Sequence, residues 1–185
     1  MPTVPSKIWL RANFEMRCLT SGFAGSVAAF EKQANQILNT VSQYDYDILG
    51  MPKPIAPLVG LRNESCSWTV YMVIEHLRLH TDFLLEATRS LIINNELRAP
   101  TPAIQYWRPE DVGSESVDRL QDSVWAYVGF VNNLIESCKH RQSTGSIRHP
   151  LYGLLNVKRL SVYGQHHISI HRRQIRAIIA SIGVV

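Results

Sequence analysis

The distribution of apolar residues divides the 185-residue chain into four long amphipathic stretches. Within each stretch, apolar residues recur three or four positions apart, which is the spacing of one face of an α-helix. The pattern predicts four helices, over about residues 25–47, 68–94, 113–140 and 157–182. Ser67 and Asn156 immediately precede the second and fourth stretches. Both residue types favour helix N-termini, so they are predicted to cap these helices.

Two proline-containing segments, residues 50–57 and 99–109, interrupt the pattern, because proline cannot continue a helix. Residues 8–16 are rich in apolar side chains without a decisive period, and they are predicted to form either a short helix or an arm on the core. No segment alternates as a β-strand does between turn residues. The chain is therefore predicted to form a single all-α domain over residues 1–185, a four-helix bundle with long loops.

The composition is that of a soluble globular protein, with 45% hydrophobic and 18% charged residues. No apolar run approaches the roughly 18 residues of a membrane span, and the N-terminus lacks the features of a signal peptide. Three widely spaced cysteines without a CxxC pair indicate a reducing compartment, so a cytoplasmic location without a membrane partner is predicted. The net charge of +4 raises nucleic acid as a partner. The basic residues are scattered, however, so no nucleic-acid partner is predicted.

The candidate chemistry is concentrated in the last predicted helix, where His167 and His171 lie four residues apart. Four residues are about one helical turn, so both imidazoles project from the same face. That face also carries Leu160, Ile175 and Ile178, and is therefore predicted to face the core. Two buried imidazoles side by side need partners, and a metal ion at about 2.0–2.1 Å from each would be one. The spacing therefore predicts a metal site.

A third ligand must come from another helix, and the second predicted helix offers His76 and His80, again one turn apart. At about 100° per residue, His80 lies closer to the apolar stripe of Leu77, whereas His76 lies towards the edge of that stripe. A bundle buries more than one narrow stripe of each helix. Helical periodicity therefore leaves both histidines open as the third ligand.

Three segments, taken in their order and separation, resemble the DinB superfamily. They are Trp68-Thr-Val followed by Glu75-His76-Leu77, His149-Pro-Leu-Tyr-Gly153, and His167-(x)3-His171-Arg-Arg-Gln174. The resemblance runs from the second predicted helix to the fourth, and the first helix agrees only in type. Members of that superfamily are four-helix, metal-binding proteins. The resemblance implies that His76, His167 and His171 are the metal ligands, because His76 has the family's spacing from the tryptophan.

The implied ligand set leaves a coordination position for water or substrate, as in catalytic zinc sites. The expected cofactor is one divalent metal ion, zinc or nickel, with iron as an alternative. The resemblance implies either metal-dependent hydrolysis or transfer of a low-molecular-weight thiol, of the bacillithiol or mycothiol type, onto an electrophile. Thiol transfer is preferred, because no general base stands beside the ligands in the sequence and a metal-bound thiolate needs one less than water does. Metal-dependent hydrolysis and a non-catalytic, metal-binding dimeric scaffold are the alternatives. No catalytic residue beyond the ligands is assigned, and the resemblance favours a homodimer.

Several nearby side chains have candidate supporting roles. Gln174 and Glu75 are candidate hydrogen-bond partners of the ligands, since ligating imidazoles donate their other N–H group. Tyr163, one turn before the HxxxH pair, is predicted either to orient a substrate or to pack in the core. His166 is predicted to lie on the surface or behind a ligand. His149, which precedes a proline, is predicted to make a structural hydrogen bond.

Overall fold

The computed structural model describes residues 4–93, 109, 112–138 and 143–183. Within these residues the helices are α1 Val4–Thr20, α2 Phe23–Val41, α3 Tyr46–Leu49, α4 Val70–Ile93, α5 Glu115–Glu136 and α6 Val157–Ile182. The smaller elements are a 3-10 turn, Asn63–Ser67, and the strands β1 Ile147–His149 and β2 Gly153–Leu155. Two expectations concern residues outside this set: that Tyr106 and Trp107 cover a cavity mouth or pack, and that His140 ends a helix in solvent.

The long helices pack around a shared apolar core. α4 packs against α5 and α6, and α2 packs against the same two helices, while α1 packs against α6. Phe30 of α2, Leu84 of α4, Leu120 of α5 and Leu160 of α6 are all fully buried. The mainly helical class predicted from the apolar periodicity is therefore confirmed. Among the described helices, none is long and apolar enough to cross a membrane.

The N-terminal part contains a longer helix than the periodicity indicated. α1 has 17 residues and buries Leu10, Phe14 and Cys18, which are spaced four apart. The prediction that the next helix continues to residue 47 is wrong, because α2 ends at Val41 and the separate four-residue α3 follows it. Both α2 and α3 bury apolar side chains. The apolar pattern therefore continues through the break and does not reveal it.

Side-chain caps determine where α4 and α6 begin. The predicted cap of α6 is confirmed, since the Asn156 side chain accepts a hydrogen bond from the backbone N–H three residues later, at 2.9 Å. Ser67 is not the cap of α4, because it lies in the 3-10 turn and its hydroxyl donates to a carbonyl within that turn. The hydroxyl of Thr69 accepts instead from a backbone N–H at 3.2 Å. α4 therefore begins at Val70.

A short hairpin precedes α6, so the prediction of no strand is wrong for this segment. β1 and β2 pair antiparallel, with His149 opposite Gly153. Strands of three residues are too short for alternation to be recognised in a sequence. The Nδ1 atom of His149 accepts hydrogen bonds from the backbone N–H groups of Leu151 and Tyr152, at 3.1 and 3.2 Å. The structural hydrogen bond predicted for His149 is therefore confirmed, and it holds the turn.

Candidate metal centre

The three expected ligands meet between α4 and α6. His76 projects from α4, whereas His167 and His171 project from α6. Each offers a ring nitrogen, and these nitrogens lie within 4.8 Å of one another. The Nε2 atoms of His76 and His167 are 3.3 Å apart. The tertiary structure thus brings His76 to the HxxxH pair of the last helix.

The spacing of these nitrogens fits a small metal ion. With metal–nitrogen bonds of about 2.0–2.1 Å, two tetrahedral ligand atoms lie about 3.3–3.4 Å apart. The 3.3 Å between His76 Nε2 and His167 Nε2 matches this separation. Without a cation, the two neutral rings can lie at this distance because the Nε2–H group of one donates a hydrogen bond to the Nε2 atom of the other. The residues therefore fit a divalent ion, which would replace that hydrogen bond.

Hydrogen bonds behind His171 determine which of its nitrogens faces the cluster. The Gln174 side chain donates from Nε2 to the backbone carbonyl of Ser65 at 2.6 Å. Because a carbonyl only accepts, this contact turns Gln174 Oε1 towards His171, whose Nδ1–H donates to it at 2.7 Å. The Nε2 atom of His171 then carries the lone pair that a metal ligand requires. The predicted hydrogen bond between Gln174 and one of the candidate ligands is therefore present.

Burial keeps the clustered imidazoles uncharged. Desolvation lowers the pKa of His76 and of His167 well below the ordinary 6.5, and neighbouring imidazoles lower it further. Burial also lowers the pKa of His171 to about 4, although its hydrogen bond with Gln174 acts in the opposite direction. Neutral imidazole is the form that binds a metal ion. At neutral pH these rings therefore bind without first losing a proton.

His80, the alternative third ligand, packs against the cluster instead of joining it. Its ring stacks on that of His167, with centroids 3.7 Å apart and 19° between the planes. The Tyr163 ring contacts the His80 ring at a centroid distance of 5.0 Å. A stacked ring presents its π surface, and not a nitrogen lone pair, to its neighbour. His80 therefore packs against one face of the His167 ring and lies outside the set of converging nitrogens.

A cavity of about 560 Å³ lies beside the cluster. Its walls come from α1, the 3-10 turn, the hairpin and α6, and all three clustered histidines contribute to them. The volume lies in the range of small-molecule sites. The apolar and aromatic part of the lining includes Leu10, Leu61, Trp68, Pro150, Leu151, Tyr152, Tyr163 and Ile170. The site thus combines three ring nitrogens, close enough together to hold a metal ion, with room for a small organic molecule.

Glu75 pairs with arginines and not with the clustered histidines, whereas Tyr163 lies at the cavity beside the cluster. The Glu75 carboxylate lies 2.7 Å from Arg78 and 3.6 Å from Arg119. It is therefore engaged by cations of α4 and α5, and the structure does not bear out its expected role as an imidazole partner. Tyr163 is buried, as expected for core packing, and its ring also lines the cavity. It remains a candidate for contact with a substrate.

His166 lies in the interior and not on the surface, the first of its two predicted positions, and the Ser65 carbonyl is a part of the site that the sequence did not identify. His166 is only 3% exposed and lies between Phe14 and Tyr152, at centroid distances of 6.4 and 5.8 Å. It lines the cavity beside the cluster. Its burial follows from α1, which packs on a face of α6 that the single-helix pattern assigns to solvent. The Ser65 carbonyl is a backbone group, so its role has no side-chain signal in the sequence.

Comparison of this chain with models of protein families, with curated proteins and with solved structures found no match. The resemblance to the DinB superfamily stays a prediction. The functional inference therefore depends on the residues themselves, and above all on the three neutral imidazoles that converge at a cavity wall.

Proposed function

We propose that the chain is a DinB-type four-helix protein in which His76, His167 and His171 hold one divalent metal ion. The observation that carries the proposal is the convergence of three ring nitrogens within 4.8 Å at the wall of the cavity. All three donors are imidazoles, which suit zinc, nickel and iron. The 3.3 Å spacing of two of them fits a tetrahedral zinc ion, which is the first candidate. Nickel, which imidazole ligands also suit, is the second.

The proposed activity is transfer of a low-molecular-weight thiol onto an electrophile. A bound ion would supply a Lewis acid that favours thiolate over thiol. The thiol releases its proton to solvent, and the sulfur electron pair forms the new bond to carbon as the bond to the leaving group breaks. The leaving group departs with the electron pair of that bond. Apolar walls such as Leu61 and Ile170 would hold the electrophile beside the ligands and limit the access of water.

Metal analysis tests the proposed site. Protein purified without affinity histidines and supplied with zinc or nickel should carry one ion per chain. Each of His76→Gln, His167→Gln and His171→Gln should reduce this stoichiometry, because a bidentate remnant holds the ion more weakly. His80→Gln is the matched control: it is a buried histidine of α4 that lies against the cluster, and it should retain the ion. Full stoichiometry in all three ligand variants would refute the metal site.

Activity measurements then separate the chemical alternatives. The metal-loaded protein should form a thioether from a low-molecular-weight thiol and chlorodinitrobenzene, and the chelated protein should not. Cleavage of ester or amide substrates without thioether formation would identify a metal-dependent hydrolase instead. One bound ion per chain without either activity would identify the chain as a non-catalytic, metal-binding scaffold. His171→Gln in the same assays shows whether any activity depends on the cluster.

A further inference from the structure

Two tyrosine rings line the cavity beside the clustered histidines. Tyr152 lies in the turn between β1 and β2, and Tyr163 lies on α6, one turn before His167. The centroids of the two tyrosine rings are 5.7 Å apart, and the Tyr163 ring lies 5.9 Å from that of His167. Tyr152 is 5% exposed and Tyr163 is 4% exposed. The pair is therefore a buried part of the cavity wall next to the candidate metal centre.

The hydroxyl groups of this pair are polar groups that the fold itself does not use. Within the described structure, neither hydroxyl forms a hydrogen bond. Both lie outside the group of polar atoms, such as Trp68 Nε1, that surrounding atoms close off from the cavity and from solvent. A hydroxyl in a buried wall without an acceptor is unfavourable, and a bound acceptor removes that cost. The two hydroxyls are thus available to a molecule in the cavity.

Both hydroxyls are hydrogen-bond donors at neutral pH. The ordinary pKa of a tyrosine is about 10. Burial raises the pKa of Tyr152 and of Tyr163 above this value, and the neighbouring Tyr152 raises that of Tyr163 further. A protonated phenol donates to an oxygen that carries a lone pair. The ligand group that matches the pair is therefore an acceptor oxygen.

We propose that Tyr152 and Tyr163 form a donor subsite for an oxygen of the electrophile. The inference rests on the proposed thiol transfer and gives its substrate class, namely electrophiles in which the attacked carbon is conjugated with a carbonyl or nitro oxygen. Such an oxygen gains negative charge as sulfur bonds to the carbon. Donors already in place at the oxygen stabilise that charge in the transition state. An electrophile without a conjugated oxygen gains nothing from the pair.

A chloronitroarene shows how the electrons move in this step. The thiolate sulfur forms a bond to the ring carbon that carries chlorine, and a ring electron pair moves onto the nitro oxygens. The hydroxyls of Tyr152 and Tyr163 donate hydrogen bonds to these oxygens and keep their protons. The electron pair then returns to the ring as the carbon–chlorine bond breaks. Chloride leaves with the electrons of that bond.

Binding of two unreactive ligands to the chelator-treated protein tests the subsite without a metal ion. Acetophenone and isopropenylbenzene have nearly the same shape, but only acetophenone has an acceptor oxygen. Tyr152→Phe and Tyr163→Phe should each weaken acetophenone relative to isopropenylbenzene by about fivefold, the effect of one hydrogen bond. A change in packing alone shifts both dissociation constants together, so their ratio isolates the lost hydroxyl. Ligand-observed nuclear magnetic resonance titrations measure both constants.

Tyr71→Phe is the matched control. Tyr71 is also 5% exposed, and its hydroxyl lacks a partner in the described structure. That hydroxyl is closed off, however, and Tyr71 is not part of the cavity lining. The variant should leave the ratio unchanged. Circular dichroism checks that each variant keeps its helices, and one folded variant of the pair is sufficient for the test.

Activity of the zinc-loaded protein gives a second readout. With a low-molecular-weight thiol and chlorodinitrobenzene, kcat should fall about 100-fold in Tyr163→Phe, because the donor acts on charge that develops in the transition state. With benzyl chloride, which has no acceptor oxygen, kcat should stay at the wild-type value. A wild-type protein that forms no thioether would contradict the proposed thiol transfer, and the ligand ratio would still decide the subsite.

Three results would overturn the proposed subsite. One is a ratio of dissociation constants that keeps its wild-type value in both Tyr152→Phe and Tyr163→Phe. Another is an equal change of that ratio in Tyr71→Phe. The third is a wild-type protein that binds neither ligand at millimolar concentration.

Discussion

Replacing Gln174 separates its effect on the fold from its effect on the candidate metal centre. Gln174 is 0% exposed and joins the Ser65 carbonyl to the Nδ1–H of His171 through bonds of 2.6 and 2.7 Å. Gln174→Met keeps most of the side-chain volume and removes both hydrogen bonds. It leaves a buried carbonyl and a buried N–H without this partner, at a cost of about 1–3 kcal/mol each. The free energy of unfolding of the metal-free protein should therefore fall by about 2–6 kcal/mol.

The same substitution should weaken metal binding, because His171 loses the contact that selects its Nε2 lone pair. Loss of such a partner typically reduces metal affinity about 10–100-fold. Gln174→Glu distinguishes orientation from packing. Its carboxylate accepts from His171 but cannot donate to Ser65, so stability should fall while metal affinity stays at the wild-type level or rises. Urea unfolding measures the first quantity, and zinc competition with a chromophoric chelator on folded protein measures the second.

Gln165→Met is the matched control, since Gln165 is a buried residue of the same helix whose side-chain oxygen has no partner in the described structure. It should leave metal affinity unchanged. Wild-type affinity in Gln174→Met, or an equal loss of affinity in Gln165→Met, would refute the argument that Gln174 orients His171.

Three other predictions concern stability. Burial lowers the pKa of His149 and of His166 to about 4, from an ordinary 6.5. Below pH 6.5 the unfolded chain therefore takes up protons that the folded chain does not. Urea titrations should show full stability above that pH and a loss of about 1.4 kcal/mol per pH unit for each ring as pH falls towards 4; a flat profile would contradict these shifts. A Cβ at Gly164 would lie 2.6 Å from Leu84, so Gly164→Ala should lower stability by about 1–3 kcal/mol. Gly129→Ala, in an open helical position, should raise the stability by about 0.5–1 kcal/mol. Equal changes in melting temperature for Gly164→Ala and Gly129→Ala would exclude the steric explanation. Excess zinc at about 100 times its dissociation constant should stabilise the protein by about 2.7 kcal/mol, and EDTA should reverse this; no shift on calorimetry would argue against binding to the folded state.

The sequence by itself determined the features that repeat locally. Helix α6 was predicted with its start and end, because the Asn156 cap and the apolar period are both properties of consecutive residues. The shared face of His167 and His171 follows from the same geometry, since four residues make about one turn. The end of α2 was missed because the apolar pattern continues across the break into α3. The hairpin was missed because strands of three residues are too short to show an alternating pattern.

Only the tertiary structure decided which groups on different elements meet. His76 and His80 lie one turn apart on α4, and the rotation of α4 against α6 sends the first to the His167 nitrogen and stacks the second on its face. That rotation depends on side-chain packing along both helices, which periodicity does not specify. The Ser65 carbonyl reaches Gln174 across 109 positions of the chain. Such long-range contacts carry no local signal, so the orientation of the His171 ring was decided by packing.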